Sequence, residues 1–148
     1  TAFDSYIANI PFYGVGIVCL DHAEVQALVG RVTDRRLITY GLSEQADIRA
    51  VNICEDGLKQ HFDILYRDRR NDANIEIKKL CLPMAGKHNL QNALAAIAAG
   101  LELGATADTI ASALKGFGGV KRRFSSVGEV RNSCNYCNFV WMWWRKFI

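Results

Sequence analysis

Between Gly14 and Leu82 the hydrophobic pattern changes its period once, and that change limits the folds open to the chain. Gly14 to Leu20 (GVGIVCL) is a short, nearly continuous apolar run, the pattern of a strand buried on both faces of a parallel sheet. Arg35 to Tyr40 (RRLITY) is a second short strand, closed by Gly41. Between them Val25, Leu28, Val29 and Val32 mark the inward face of a helix that Asp21 is placed to cap. Strand, helix, strand is a right-handed crossover unit by the general rule. From Asp47 the period becomes two. Asp47 to Cys54, His61 to Arg67 and Ile75 to Leu82 alternate polar and apolar residues. Glu55-Asp56-Gly57 and the charged stretch Asp68 to Asp72 supply the turns between them. Three such strands predict an antiparallel meander with one wet face.

Helical spacing brackets this block. Phe3, Tyr6, Ile7 and Ile10 share a face until Pro11 stops the run. After Pro83 to Gly86, residues Leu90, Ala93, Leu94, Ile97, Ala98 and Leu101 define a second helix that Gly104 ends. Thr106 or Asp108 starts a third, with Ile110, Ala113, Leu114 and Phe117 inward. The expected class is α/β: a parallel-rich sheet with flanking helices, plus a small three-stranded antiparallel sheet.

Composition narrows the function classes. At 148 residues and 50% hydrophobic content, the chain has the length and apolar surface for one domain core. No apolar run reaches the roughly 18 to 20 residues a membrane-spanning helix needs, so no membrane span is predicted. No basic-then-apolar leader opens the sequence, which predicts a cytoplasmic protein. Arg131, Arg145 and Lys146 account for the whole formal charge of +3. A balanced body with a basic tip argues against nucleic acid as a partner.

Cys19 and Cys81 lie in apolar strand-like runs and read as small buried hydrophobes, and Cys54 ends a similar run. An odd total of five cysteines without a secretory signal argues against a disulfide framework. Cys134 and Cys137 have CxxC spacing, but no second pair of ligands lies nearby to close a metal site.

Two segments carry candidate chemistry. Gly86-Lys87-His88-Asn89-Leu90-Gln91-Asn92 places polar side chains at a helix start, where free N–H groups and the helix dipole suit phosphate. Asn89 and Asn92 are three apart and share a helix face, and an Asn amide can both donate to and accept from a purine edge. The structural alternative is that Asn89 simply caps the helix. Lys121-Arg122-Arg123 after a glycine-rich loop is the second segment, a phosphate contact or a solvated basic turn. No G-x-x-x-x-G-K-S/T phosphate loop occurs in the sequence.

Taken together, these residues resemble the central part of the Mur ligases across roughly residues 3 to 129. The markers are Asn9-Ile10-Pro11-Phe12-Tyr13-Gly14, Cys19-Leu20-Asp21-His22 and Ile38-Thr39-Tyr40-Gly41 with Ala46-Asp47. They continue with Gly86-Lys87-His88-Asn89, Asn92-Ala93-Leu94-Ala95-Ala96, Gly118-Gly119-Val120-Lys121-Arg122-Arg123-Phe124 and Gly128-Glu129. The Asn-Ile-Pro-Phe-Tyr-Gly and Lys-Arg-Arg-Phe segments favour the L-alanine-adding branch. The resemblance implies ATP-driven amide formation in peptidoglycan synthesis, with ATP, Mg2+, UDP-N-acetylmuramate and L-alanine as cofactors and substrates. It also implies that His88, Asn89 and Asn92 sit beside the nucleotide and that Arg123 reaches toward its phosphates.

Departures from the family pattern are equally specific. The phosphate loop, the upstream magnesium-binding Glu and His, and an Asp-Asp-Tyr-Gly-His-His stretch after Glu129 have no counterpart here. The expectation is therefore a partial central domain over residues 1–124, with an aberrant tail over 125–148, inactive alone. Residues 130–148 hold all three tryptophans and no acid, and run through Phe-Val-Trp-Met-Trp-Trp without either regular period. That tail reads as an out-of-frame segment, with a membrane-surface anchor as the alternative. A degenerate nucleotide or UDP-sugar binding module is the other functional class compatible with the sequence.

Overall fold

The computed structural model describes residue 5, residues 7–119, and the backbone of residues 126–130 and 133–136. The chain divides into two compact units, Thr1–Gly116 and Phe117–Ile148. In the first unit five strands form one sheet in the order β1-β2-β3-β4-β5. They are β1 (Gly16–Cys19), β2 (Leu37–Gly41), β3 (Ile48–Asp56), β4 (Lys59–Asp68) and β5 (Ala73–Leu82). The described helices are α1 (Ala23–Val29), α2 (Lys87–Glu102) and α3 (Ala107–Lys115). In the second unit β6 (Ser126–Val130) and β7 (Ser133–Tyr136) pair antiparallel, a hairpin that the sequence reading did not anticipate.

The expected separate antiparallel sheet is corrected by the structure. β3 pairs parallel with β2, at Tyr40 opposite Ile48 and Gly41 opposite Arg49, and antiparallel with β4. The meander is thus the continuation of the parallel strands. The reason is hydrogen-bond accounting: a separate meander would leave the backbone groups on that edge of β2 and β3 unpaired. Asp47 seals the junction, its Oδ2 accepting from the Thr39 backbone N–H at 2.9 Å and the Thr39 hydroxyl at 2.8 Å. Hydrophobic period reports how many faces of a strand are covered, not to which sheet the strand belongs.

The alternation read from sequence sets the inward face. Ile48 and Ala50 on β3, Phe62 and Ile64 on β4, and Ile77, Leu80 and Leu82 on β5 are buried. They pack with Leu90, Ala93, Leu94, Ile97 and Ala98 of α2 and Ile110 and Leu114 of α3 in one cluster. α2 packs across β1, β2 and β3, and α3 against β5. The β3–β4 turn falls at Gly57-Leu58, and the β4–β5 turn at residues 69–72.

Irregularities in β3, β4 and β5 meet at Asp63. The pairing shifts between Val51 and Cys54 and between Phe62 and Ile64. Asn52 and Lys79 take positive φ, 52° and 58°. The Asp63 carboxylate accepts from Asn52 Nδ2 at 2.8 Å and from the Lys79 backbone N–H at 2.8 Å, so one side chain holds both bulges.

Several local expectations shift. β1 is half-buried rather than covered on both faces, because it is the edge strand of the described sheet. On α1 only Leu28 is buried, with Val25 and Val29 half-exposed, and Val32, half-exposed too, falls beyond the end of the helix. Ala113 and Phe117 are exposed. Cys19 and Cys81 are half-buried, and Cys54 is exposed; all three are free thiols. Asp21 does not cap α1: His22 occupies that position without a side-chain cap bond, and the Asp21 carboxylate is engaged elsewhere. The spans 3–10 and 120–125 and the tail after Tyr136 lie wholly or partly outside the described residues.

Candidate functional site

β1 and β2 run parallel, so their carboxyl ends share one edge of the sheet, where α/β folds place ligands. β1 leads there into Leu20 and Asp21, and β2 into Gly41, Leu42 and Ser43. The start of α2 comes to the same edge, because Gln91 Nε2 donates to Asp21 Oδ2 at 2.7 Å. That start carries His88, Asn89 and Asn92.

The loop before α2 is built from the strands beneath it. Gln60, 1% exposed, lies in the inward phase of β4, where an apolar residue is the norm. Its Nε2 donates to the carbonyls of Met84 and Gly86, each at 2.9 Å. The Gly86 carbonyl also accepts from the Asn89 and Leu90 backbone N–H groups, at 3.1 and 3.2 Å. Gly86 holds φ at 101°, a conformation that favours glycine, and it rather than Asn89 is the N-cap. Asn89 sits inside the first turn and donates its Nδ2 to the Ala85 carbonyl at 2.6 Å. His88 and Asn92 are exposed, and Asn89 is half-buried. Arg123 lies outside the described residues.

Beneath Asp21, Cys19 and Tyr40 are cross-strand partners. Burial is the main influence on the thiol and raises its pKa; the Asp21 backbone N–H opposes this, the Asp21 carboxylate adds to it, and Lys87 opposes it more weakly. Burial likewise raises Tyr40, and Cys19 and Asp21 add to the shift. Both side chains are therefore neutral near pH 7.

The arrangement offers amide donors and acceptors and an imidazole at one helix start, suited to the edge of a heteroaromatic base. Among the described residues no group of three His, Cys, Asp or Glu side chains can hold a metal ion. Two clefts, of about 390 and 230 Å³, lie around Asp47 and Arg67, and neither is lined by His88, Asn89 or Asn92. Sequence reasoning found the helix start but missed Gln60 and Gln91. Gln60 was detectable as a polar residue on the apolar phase of a strand, and Gln91 lies within the motif itself.

Residues 2–100 match the Mur ligase middle domain. The chain is 57% identical over 128 residues to the UDP-N-acetylmuramate–L-alanine ligase of Hyphomonas neptunium, covering 86% of this chain and 27% of that protein. It is 53% identical over 131 residues to the Bartonella tribocorum ligase of the same name, covering 88% and 28%. The chain thus spans just over a quarter of the length of these relatives. Among solved structures it is similar to UDP-N-acetylmuramoylalanyl-D-glutamyl-2,6-diaminopimelate–D-alanyl-D-alanyl ligase from Acinetobacter baumannii, with TM-score 0.63 and 25% identity over 81% of this chain and 25% of that one. It is also similar to UDP-N-acetylmuramate:L-alanyl-gamma-D-glutamyl-meso-diaminopimelate ligase from Neisseria meningitides, with TM-score 0.60 and 25% identity over 81% and 34%.

Proposed function

The chain belongs to the Mur ligase family, and from that premise we propose that it supplies part of the nucleotide subsite of an ATP-dependent UDP-N-acetylmuramate–L-alanine ligase. The observation that carries this reading is the His88-Asn89-x-x-Asn92 helix start, set at the carboxyl edge of β1 and β2 and held there by Asp21 and Gln60. Asn92 is exposed there, and Asn89 keeps its Oδ1 for a donor such as an exocyclic amine. His88 flanks them. Arg123 is the phosphate contact in this reading, and residue 124 closes the central-domain segment.

The reaction is formation of an amide bond. ATP phosphorylates the carboxylate of UDP-N-acetylmuramate; the L-alanine amine attacks the acyl phosphate; ADP and phosphate leave. A cytoplasmic setting follows from ATP as the donor. Magnesium would supply charge neutralisation in phosphoryl transfer; among the described residues no group of three His, Cys, Asp or Glu side chains is placed to hold it. In this reading these residues hold the nucleotide.

Calorimetric titration of the chain with a non-hydrolysable ATP analogue and magnesium tests the proposal. Micromolar binding that weakens on Asn92→Ala and on Arg123→Ala is the expected result. A folded chain that binds nothing overturns it.

A further inference from the structure

Asp21 ties together the ends of β1 and β2 and the first turns of α2. It stands two residues past the end of β1; its Oδ1 accepts from the backbone N–H groups of Leu42 at 2.8 Å and Ser43 at 3.1 Å, in the loop after β2. Its Oδ2 accepts from Gln91 Nε2 at 2.7 Å, on α2. Room for this carboxylate is built into the backbone. A Cβ on Gly41, whose φ is 156°, would stand 2.5 Å from Asp21 Oδ1, so glycine is required there for close approach.

Directional bonds also hold the two ends of α2, from Gln60 to the Gly86 carbonyl at its start and from Arg36 and Arg70 to Glu102 at its last residue, but between those ends, Gln91 aside, the described grip on the helix is apolar. Its buried face is Leu90, Ala93, Leu94, Ile97 and Ala98, and apolar contacts of this kind tolerate small rotations about the helix axis. Successive helical residues are about 100° apart, so a rotation that shifts Gln91 re-aims Asn92 and Asn89 equally. Hydrogen bonds to a fixed carboxylate remove that freedom, and a charge-assisted bond does so strongly.

The geometry points to Asp21 as a positioning residue for nucleotide, acting through Gln91 to set the direction in which α2 presents Asn89 and Asn92. This rests on the nucleotide reading above. Asp21 itself makes no contact with the ligand in this scheme; its carboxylate is occupied by Leu42, Ser43 and Gln91.

The test is a polarity swap in the 148-residue chain. Gln91→Glu sets carboxylate against carboxylate, which repel at this distance. Adding Asp21→Asn restores a donor–acceptor pair of opposite sense while an amide oxygen still serves Leu42 and Ser43. Binding of the non-hydrolysable ATP analogue is read by calorimetry, and the α2 amides of residues 89–94 by hydrogen exchange. Gln91→Glu is expected to weaken binding about tenfold and to speed exchange in that stretch, with the double variant recovering to within about threefold. Unchanged binding in Gln91→Glu, or a double variant no better than the single one, overturns the proposal. A wild-type chain that binds no analogue overturns the nucleotide reading instead; exchange then judges the clamp, and unchanged exchange in Gln91→Glu sinks it. Should Gln91→Glu fail to fold, Gln91→Leu removes the donor without adding charge, and unchanged binding and exchange there are equally fatal.

Discussion

Gln60 and Gly86 stand 26 residues apart, and the amide of the first donates to the carbonyl of the second at 2.9 Å. A strand in the middle of the meander thereby sets the start of the helix that bears the candidate site. With the second bond to Met84 included, Gln60→Leu removes two donors from a buried position. The expected loss is about 2 kcal/mol in denaturant unfolding, a carbonyl left unpaired in the interior costing more than a typical bond contributes. A loss below half of that would mean the loop re-forms its bonds without Gln60.

Gly41→Ala combines backbone strain with a clash. The φ of 156° and the 2.5 Å approach to Asp21 Oδ1 cannot both be kept with a Cβ present. We expect a cost of about 2 to 3 kcal/mol and a lowered thermal midpoint. A midpoint equal to that of the wild type would show that Asp21 can move aside freely.

Asp47 and Arg69 form a pair of unequal members. Asp47 is 4% exposed and also serves the Thr39 N–H and hydroxyl, whereas the Arg69 side chain is 66% exposed. Asp47→Ala is expected to cost about 3 kcal/mol, because the Thr39 backbone N–H between β2 and β3 loses its acceptor. Arg69→Ala should cost no more than about 1 kcal/mol, as for other water-exposed partners. Urea unfolding of both variants checks the order; equal losses would contradict it.

Asp63 makes stability depend on acid. The Asn52 amide, then the Lys79 backbone N–H, lower its pKa below the ordinary Asp value. A depressed folded-state pKa means the contribution is present above the unfolded pKa of about 3.9 and is lost as pH falls through the lower folded value. Between pH 5 and 2.5 the urea midpoint of Asp63→Asn should fall less steeply than that of the wild type. Parallel curves would exclude Asp63 from the acid response.

Leu94 is fully buried between α2 and the sheet. Leu94→Ala should cost about 3 kcal/mol, the usual sum of lost transfer energy and residual cavity. A cost under 1 kcal/mol would mean that the core collapses around the gap.

Much of this architecture is legible from residue pattern. The alternation in His61 to Arg67 correctly points Phe62 and Ile64 inward, and the spacing from Leu90 to Ala98 gives the buried face of α2. Both follow from local geometry, period two for a strand and 3.6 for a helix. The candidate residues His88, Asn89 and Asn92 were visible as a polar cluster at a helix start. What holds them was not. Asp21 reads as a helix cap because a short polar residue after a strand commonly is one; its actual partners, Leu42 and Gln91, lie 21 and 70 residues away. Asn89 misleads in the same way, since Gly86 takes the cap position once Gln60 holds its carbonyl.

The chain's own residue order determined which segments become strands and helices, which side of each faces inward, and which family the chain belongs to, because all of these are carried by local spacing and short motifs. Only the tertiary structure decided that the meander joins the parallel strands in one sheet through Tyr40 opposite Ile48. It alone also decided that Asp21, Gln60 and Gln91 converge on the start of α2. The physical reason is that hydrogen bonds between distant residues are chosen by which edges and carbonyls remain unpaired after packing, and period and propensity carry no information about that remainder.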